Sequence, residues 1–212
     1  MTPRVLVLAS HNEKKVKELQ AILQDLPFEV QCLKTIAGAP QVNEDGETFE
    51  ANAVKKAVTI ARWSQKLTLA DDSGLCVDAL GGAPGVYSAR FAGESQDELA
   101  NCEKLLNLMK EIPEGLRGAS FHCVIAVAGP HAGILGVAKG EYRGSIAFGL
   151  KGRHGFGYDP VFVDPASGKR FAELPPDIKN KISHRAQALA EAKKLLRSYL
   201  KSSEMGLLKK RY

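Results

Sequence analysis

The chain has 212 residues, 44% of them hydrophobic and 25% charged, an ordinary globular mixture with enough apolar material for one large domain. Its formal charge of +5 invites a nucleic-acid reading, but the last twelve residues hold Lys201, Lys209, Lys210 and Arg211 against Glu204, which leaves +2 on residues 1–200. A wide nucleic-acid footprint needs clustered positive charge on the folded body, so no nucleic-acid partner is expected, and no apolar run is long enough for a membrane span.

The first apolar stretch, residues 5–9, is too short for a signal-peptide core, which predicts a cytoplasmic protein. The four cysteines (Cys32, Cys76, Cys102 and Cys123) show no C-x-x-C spacing and read as buried free thiols. Residues 1–200 are expected to form one domain, and residues 201–212 a basic tail, frayed or loosely packed.

Residues 4–9 form a short apolar run, as expected of a buried strand. From Glu13, Val16, Leu19, Ile22 and Leu23 recur at helical spacing until Pro27. A second strand is predicted over residues 30–33 and a loop over 38–46. A helix follows over 48–64, with Ala53, Ala57, Ile60 and Ala61 on one stripe. A short strand over 67–70 is expected to end at Asp71-Asp72-Ser73-Gly74. Residues 80–93 read as a loop, and Ser95 with Glu98 as a capping box opening the next helix. Residues 119–128 and 133–140 suggest a hairpin. Residues 149–159 form a glycine-rich loop entering a strand at 161–163, and a last helix starts near Ser183. Strands alternating with helices, plus an inserted hairpin, argue for an α/β fold around a mixed sheet.

Four segments carry candidate chemistry. Ser10-His11-Asn12-Glu13-Lys14-Lys15 joins a buried strand to a helix, a turn that suits a phosphate. Lys14 and Lys15 then lie in the first helical turn, where cations conflict with the helix dipole and an anionic ligand would reverse the sign. The alternative is two solvated lysines. Asp71-Asp72 follows an apolar strand, where adjacent acids are costly unless they bind a cation or cap a turn. Side chains alternate along a strand, so one aspartate is expected to face the site. Glu44, in the acidic loop with Asp45 and Glu47, offers a further oxygen ligand. The loop Gly152-Arg153-His154-Gly155-Phe156-Gly157-Tyr158-Asp159-Pro160 offers close backbone approach and flat faces for a base; the alternative for Phe156 is to plug the core, the commoner fate of a loop aromatic. In Lys179-Asn180-Lys181-Ile182-Ser183-His184-Arg185, Ser183 is a natural N-cap, which again puts cations at the wrong end of a helix dipole.

Together these segments resemble the XTP/dITP diphosphatases, also called inosine triphosphatases. The shared motifs are S-x-N-x-x-K (Ser10, Asn12, Lys15), ADDSGL at 70–75, GGAPGVYSARFAG at 81–93, GFGYDPVF at 155–162 and ISHRAQAL at 182–189. The resemblance covers about residues 4–200. It implies a long mixed β-sheet with flanking helices, in two lobes with a central active-site cleft, and a homodimer. It implies Mg²⁺-dependent cleavage of non-standard purine nucleoside triphosphates (dITP, ITP, XTP) into monophosphate and pyrophosphate. Residues 10–15 would grip the triphosphate, and Lys56 would contact it. Glu44 and Asp72 would hold the metal, with Asp72 also acting on the attacking water. Ser73, Phe156, Gly157, Tyr158, Asp159, Lys179, His184 and Arg185 would line the nucleotide pocket. Ala186 stands where that family usually has glycine and is expected to crowd the base pocket slightly. The competing readings are a hydrolase of other modified nucleotides and a nucleic-acid-binding protein without catalysis.

Overall fold

In the computed structural model, alternate apolar residues of the first strand, β1 (Arg4–Leu8), serve two different layers. Leu6 and Leu8 face a core built with Val16, Leu19 and Leu23 of α1 (Glu13–Leu23) and Leu189, Ala192 and Leu196 of α5 (His184–Lys209). Val7 and Ala9 face the other side, against Ala53, Ala57, Ile60 and Ala61 of α2 (Phe49–Ser64). A strand buried on both faces must be apolar, as this one is from Val5 onward, after Arg4 at its half-buried start. The structure describes residues 4–209, with side chains described through 202.

Six strands form one mixed sheet in the order β2-β1-β3-β4-β5-β6. β1 runs parallel to β2 (Phe28–Cys32) and to β3 (Leu67–Val77). β4 (Gly118–Gly129), β5 (Gly133–Ile146) and β6 (Phe162–Val163) continue the sheet antiparallel. A second core fills the far end, where Leu75, Val77, Phe121 and Phe162 meet Cys102 and Leu105 of α3 (Glu98–Leu108) and Phe171. One sheet thus supports two lobes.

Several expected boundaries change. β3 does not end at Ala70 but runs through Asp71-Asp72-Ser73-Gly74, because β4 pairs with it residue by residue from Thr68↔Ala128 to Val77↔Ala119. β1 accompanies it only as far as Leu69. β3 therefore carries its two aspartates on beyond the end of its parallel neighbour, which opens an edge beside the start of α1. The capping box at Ser95 does not form. Gln96 takes a left-handed φ of 54°, and Asp97 caps α3 instead, accepting from Leu99 N at 2.8 Å and Ala100 N at 3.0 Å. β5 continues past Gly140 to Ile146, since alternation persists through Glu141, Tyr142 and Arg143. A short helix, α4 (Pro176–Ile182), precedes Ser183 and was not anticipated. The α5 backbone stays helical to Lys209, into the segment expected to be a tail. The remaining tail residues and the side chains from 203 lie outside the described residues.

Candidate active site

Asn12 ends the turn after β1 and caps α1, its side chain accepting from Lys14 N at 3.0 Å and Lys15 N at 3.2 Å. That bond directs the first turn of α1. Lys15 enters a deep cleft together with Asn12. Lys14 points along the rim, pairing with Glu98 at 2.8 Å and standing 6.0 Å from the Phe156 ring centre. Ser10, His11 and Glu13 are not brought into the cleft. They line a smaller hollow with Cys32 and Lys34, and Glu13 pairs with Lys34 at 2.5 Å.

The alternation of β3 separates the two aspartates. Asp71 shares the face of Leu67 and Leu69, towards α1 and α5, where Lys15 Nζ lies 3.1 Å away and Arg185 Nη2 3.6 Å away. Burial alone would raise its pKa, but Lys15 and Arg185 prevail and hold the carboxyl well below the usual range. Asp72 turns to the α2 side and lines the cleft. It accepts from Asn52 Nδ2 at 3.0 Å and from the Ser73 backbone N–H at 3.0 Å. Burial, aided by the charge of Glu44, lifts its pKa above the ordinary carboxylate value, against the pull of Lys56 and Lys15.

Lys56 rises from α2 between these groups. Its Nζ donates to Glu44 Oε1 at 2.6 Å and to the Asp71 carbonyl at 2.7 Å. Burial disfavours this ammonium, but Glu44, Asp71 and Asp72 outweigh it and raise the pKa. Glu44 also faces the cleft, its carbonyl accepting from Arg90 Nη2 at 3.1 Å. Glu44 and Asp72 are thus two oxygen donors in one cleft. That suits a hard divalent cation, which takes one or two carboxylates together with phosphate oxygens and water. Among the described residues, no larger cluster of metal-ligating side chains exists.

Another wall of the cleft offers a flat face. Phe156 is not in the core. It walls the cleft, with Lys179 Nζ 4.8 Å and Arg185 Cζ 5.2 Å from its ring centre. Its loop is held by Asp159, which accepts from Phe156 N at 2.8 Å and from Lys179 Nζ at 2.6 Å. Gly155 adopts φ +76°, and a side chain there would run into the Asp159 carboxylate, so the turn requires glycine. Tyr158 packs into the second core and donates to the Ser88 carbonyl at 2.9 Å, while Gly157 and Tyr158 both reach the cleft wall.

Ser183 caps α5 as expected, its Oγ accepting from Ala186 N at 3.2 Å. His184 stacks on Phe121 with ring centres 4.7 Å apart, and burial together with Arg185 and Lys179 keeps the imidazole neutral. Arg185 Nη1 donates to Glu18 at 2.6 Å and Nη2 to Ser73 Oγ at 3.0 Å. Buried Nδ1 of His184 and Nε of Arg185 have no hydrogen-bond partner in the protein, and both side chains line the cleft. Ala186 is buried and does not line the cleft, so its methyl leaves the pocket uncrowded.

Sequence reasoning missed Glu18, Asn52, Arg90 and Phe121. Asn52 and Lys56 form a polar i, i+4 pair inside the buried stripe of α2, a pattern that could have marked both. Glu18 carried no such signal. Its role depends on α4 and α5 arriving from more than 160 residues away.

Two lobes on one mixed sheet, with cations, carboxylates and an aromatic wall converging in the cleft, define an α/β protein suited to an anionic ligand that carries a flat group. Residues 6–195 match the Ham1 family model, and the chain belongs to the Ham1 family. A dITP/XTP pyrophosphatase of Desulforamulus reducens is 51% identical over 191 residues, covering 90% of this chain and 94% of that protein. One from Bacillus subtilis is 47% identical over 190 residues, covering 90% and 96%. Among solved structures, a HAM1 protein from Coxiella burnetii superposes with a TM-score of 0.83 at 39% identity, covering 92% of this chain and 99% of that one. The Staphylococcus aureus Ham1 protein gives 0.80 at 40% identity, covering 94% and 100%. No helix among the described residues is long and apolar enough to cross a membrane.

Proposed function

We propose that this chain is a magnesium-dependent hydrolase that splits dITP, ITP and XTP into monophosphate and pyrophosphate, clearing them from the cytoplasmic nucleotide pool. The observation that carries the reading is the single cleft, which gathers Lys15, Asp72 with Glu44, and Phe156 with His184 and Arg185. A nucleoside triphosphate held there has cations and carboxylates for its phosphates and a flat wall for its base, all lining one cleft. The names of the relatives point to dITP and XTP.

Glu44 and Asp72 are the residues that would hold magnesium, which when bound neutralises phosphate charge and orients the oxygens for in-line attack. Asp72 positions the attacking water; a cation beside it would keep its carboxylate ionised, so it acts as ligand and water positioner rather than as a strong base. Lys15 and Lys56 neutralise charge that grows on the phosphates in the transition state. Phe156 offers its face to the base. Arg185, which has only donors, reads the 6-oxygen of hypoxanthine or xanthine and meets a second donor in adenine. A homodimer belongs to the same reading. Light scattering after gel filtration measures the state directly.

The test is a panel of nucleoside triphosphates with Mg²⁺, assayed separately for pyrophosphate and orthophosphate. The expected result is pyrophosphate from dITP, ITP and XTP and far less from ATP and GTP. Stepwise orthophosphate release would overturn it. In Arg185→Ala, kcat/KM should fall more for ITP than for ATP, and equal fractional losses would move base reading to other residues.

A further inference from the structure

Asn52 is 1% exposed on the inner face of α2, where every other buried residue but Lys56 is apolar. Burying a primary amide is unfavourable unless its polar atoms are paired. Here they are, on two different elements. Oδ1 accepts from the Gly46 backbone N–H at 2.8 Å. Nδ2 faces the Gly46 carbonyl at 3.5 Å and donates to Asp72 Oδ2 at 3.0 Å. The Gly46 contacts settle which way the amide points. A backbone N–H needs an acceptor, so Oδ1 must face it, and the amide nitrogen is left facing Asp72.

The other Asp72 oxygen is taken by the Ser73 N–H at 3.0 Å. The carboxylate is thus gripped at both oxygens by donors of the protein itself. Gly46 lies two residues from Glu44 in the acidic loop, so one buried amide sets that loop in register with Asp72. Gly46 has no room for a side chain there, since an added Cβ would fall 2.7 Å from Asn52 Oδ1.

We infer that Asn52 is a positioning residue for the reaction: it fixes the orientation of the Asp72 carboxylate and its register with the Glu44 loop. This rests on the proposed role of Asp72 at the metal and the attacking water. Groups that orient a metal-binding carboxylate commonly matter nearly as much as the ligand itself.

Asn52→Asp separates the two functions of the amide. It keeps an acceptor for the Gly46 N–H, and with it the loop tether, but replaces the amide donor with a second carboxyl that must share a proton with Asp72 or repel it. Asn52→Ser is too short to make either contact. Both variants should lose kcat for dITP by about tenfold or more while KM changes by less than about twofold. A readout independent of turnover is the rise in melting temperature that Mg²⁺ produces in the nucleotide-free protein. In Asn52→Ser, the Mg²⁺ concentration giving half of that rise should increase at least about threefold. If Asn52→Ser fails to fold, Gly46→Ala displaces the same amide from the loop side and should show the same loss. Wild-type kcat in Asn52→Asp, or an unchanged Mg²⁺ midpoint in the folded serine or Gly46→Ala variant, would overturn the inference alone. Asp72→Asn, measured alongside, should be nearly inactive, and wild-type turnover in it would overturn the underlying reading as well.

Discussion

Lys15 stands in the first turn of α1, where the helix dipole disfavours a cation by roughly 0.3–1 kcal/mol. On that ground alone, its removal would leave the protein as stable or more so. The buried Asp71 reverses the sign. Its carboxylate lies 3.1 Å from Lys15 Nζ, and without Lys15 that oxygen would keep the Ser73 hydroxyl, donating at 3.4 Å, and Arg185 at 3.6 Å. Lys15→Ala should therefore destabilise the ligand-free protein by ~1–3 kcal/mol, the cost of leaving a buried acceptor under-satisfied. The Asp71 pKa is depressed below its ordinary value of 3.8, so this stabilisation is fully present above that pH and fades as acid protonates the carboxyl. Urea titrations of both proteins at neutral pH and near pH 3 check size and direction. Equal stability at neutral pH would show that the pair contributes nothing. That the two aspartates face opposite ways was readable from alternation along β3. Their partners were not, because Lys15, Arg185, Asn52 and Lys56 come from three different helices.

At the scale of elements, the placement of α5 decides where His184 and Arg185 go. The helix start was legible from Ser183, but its docking depends on Gly140 of β5, which sequence reading took for a strand end. A Cβ at Gly140 would run into the His184 carbonyl and the Ala188 backbone N, which lies 2.6 Å from that position. Backbone cannot yield as a flexible side chain can. Gly140→Ala should destabilise by ~1–3 kcal/mol through overpacking and raise KM for ITP by displacing the base end of the cleft. Thermal unfolding and steady-state kinetics test the two parts. A stable variant with unchanged KM would mean that α5 adjusts without moving Arg185. β3 teaches a related lesson. Its polar stretch looked like a strand end because Asp, Ser and Gly are poor strand formers, yet ten successive pairs with β4 hold it in the sheet.

At the scale of the molecule, the cleft draws Lys15 and Asn12 from the lobe around β1 and Phe156 from the lobe around the second core. A ligand that spans it should bind better than either of its ends. A non-hydrolysable ITP analogue with Mg²⁺, at one hundred times its Kd, should stabilise the fold by about 2.7 kcal/mol. At that same concentration, inosine or tripolyphosphate alone should each give less than half as much. Calorimetry reads the shifts. An equal shift from tripolyphosphate would mean that the base end takes no part in binding.

The sequence by itself determined the layers and the local starts. Apolar runs made β1 and the early part of β3 buried strands, helical stripes made the inner faces of α1, α2 and α5, and Ser183 capped α5. Its ordered motifs also pointed to the family. These are signals carried by residues close together in the chain. Only the tertiary structure decided that Ser10, His11 and Glu13 stay out of the cleft, that Phe156 is wall rather than core, and that Glu18, Asn52 and Phe121 belong beside residues far away in sequence. The physical reason is that a buried polar group is positioned by whatever satisfies it, and here the satisfying partner sits on another element of the fold.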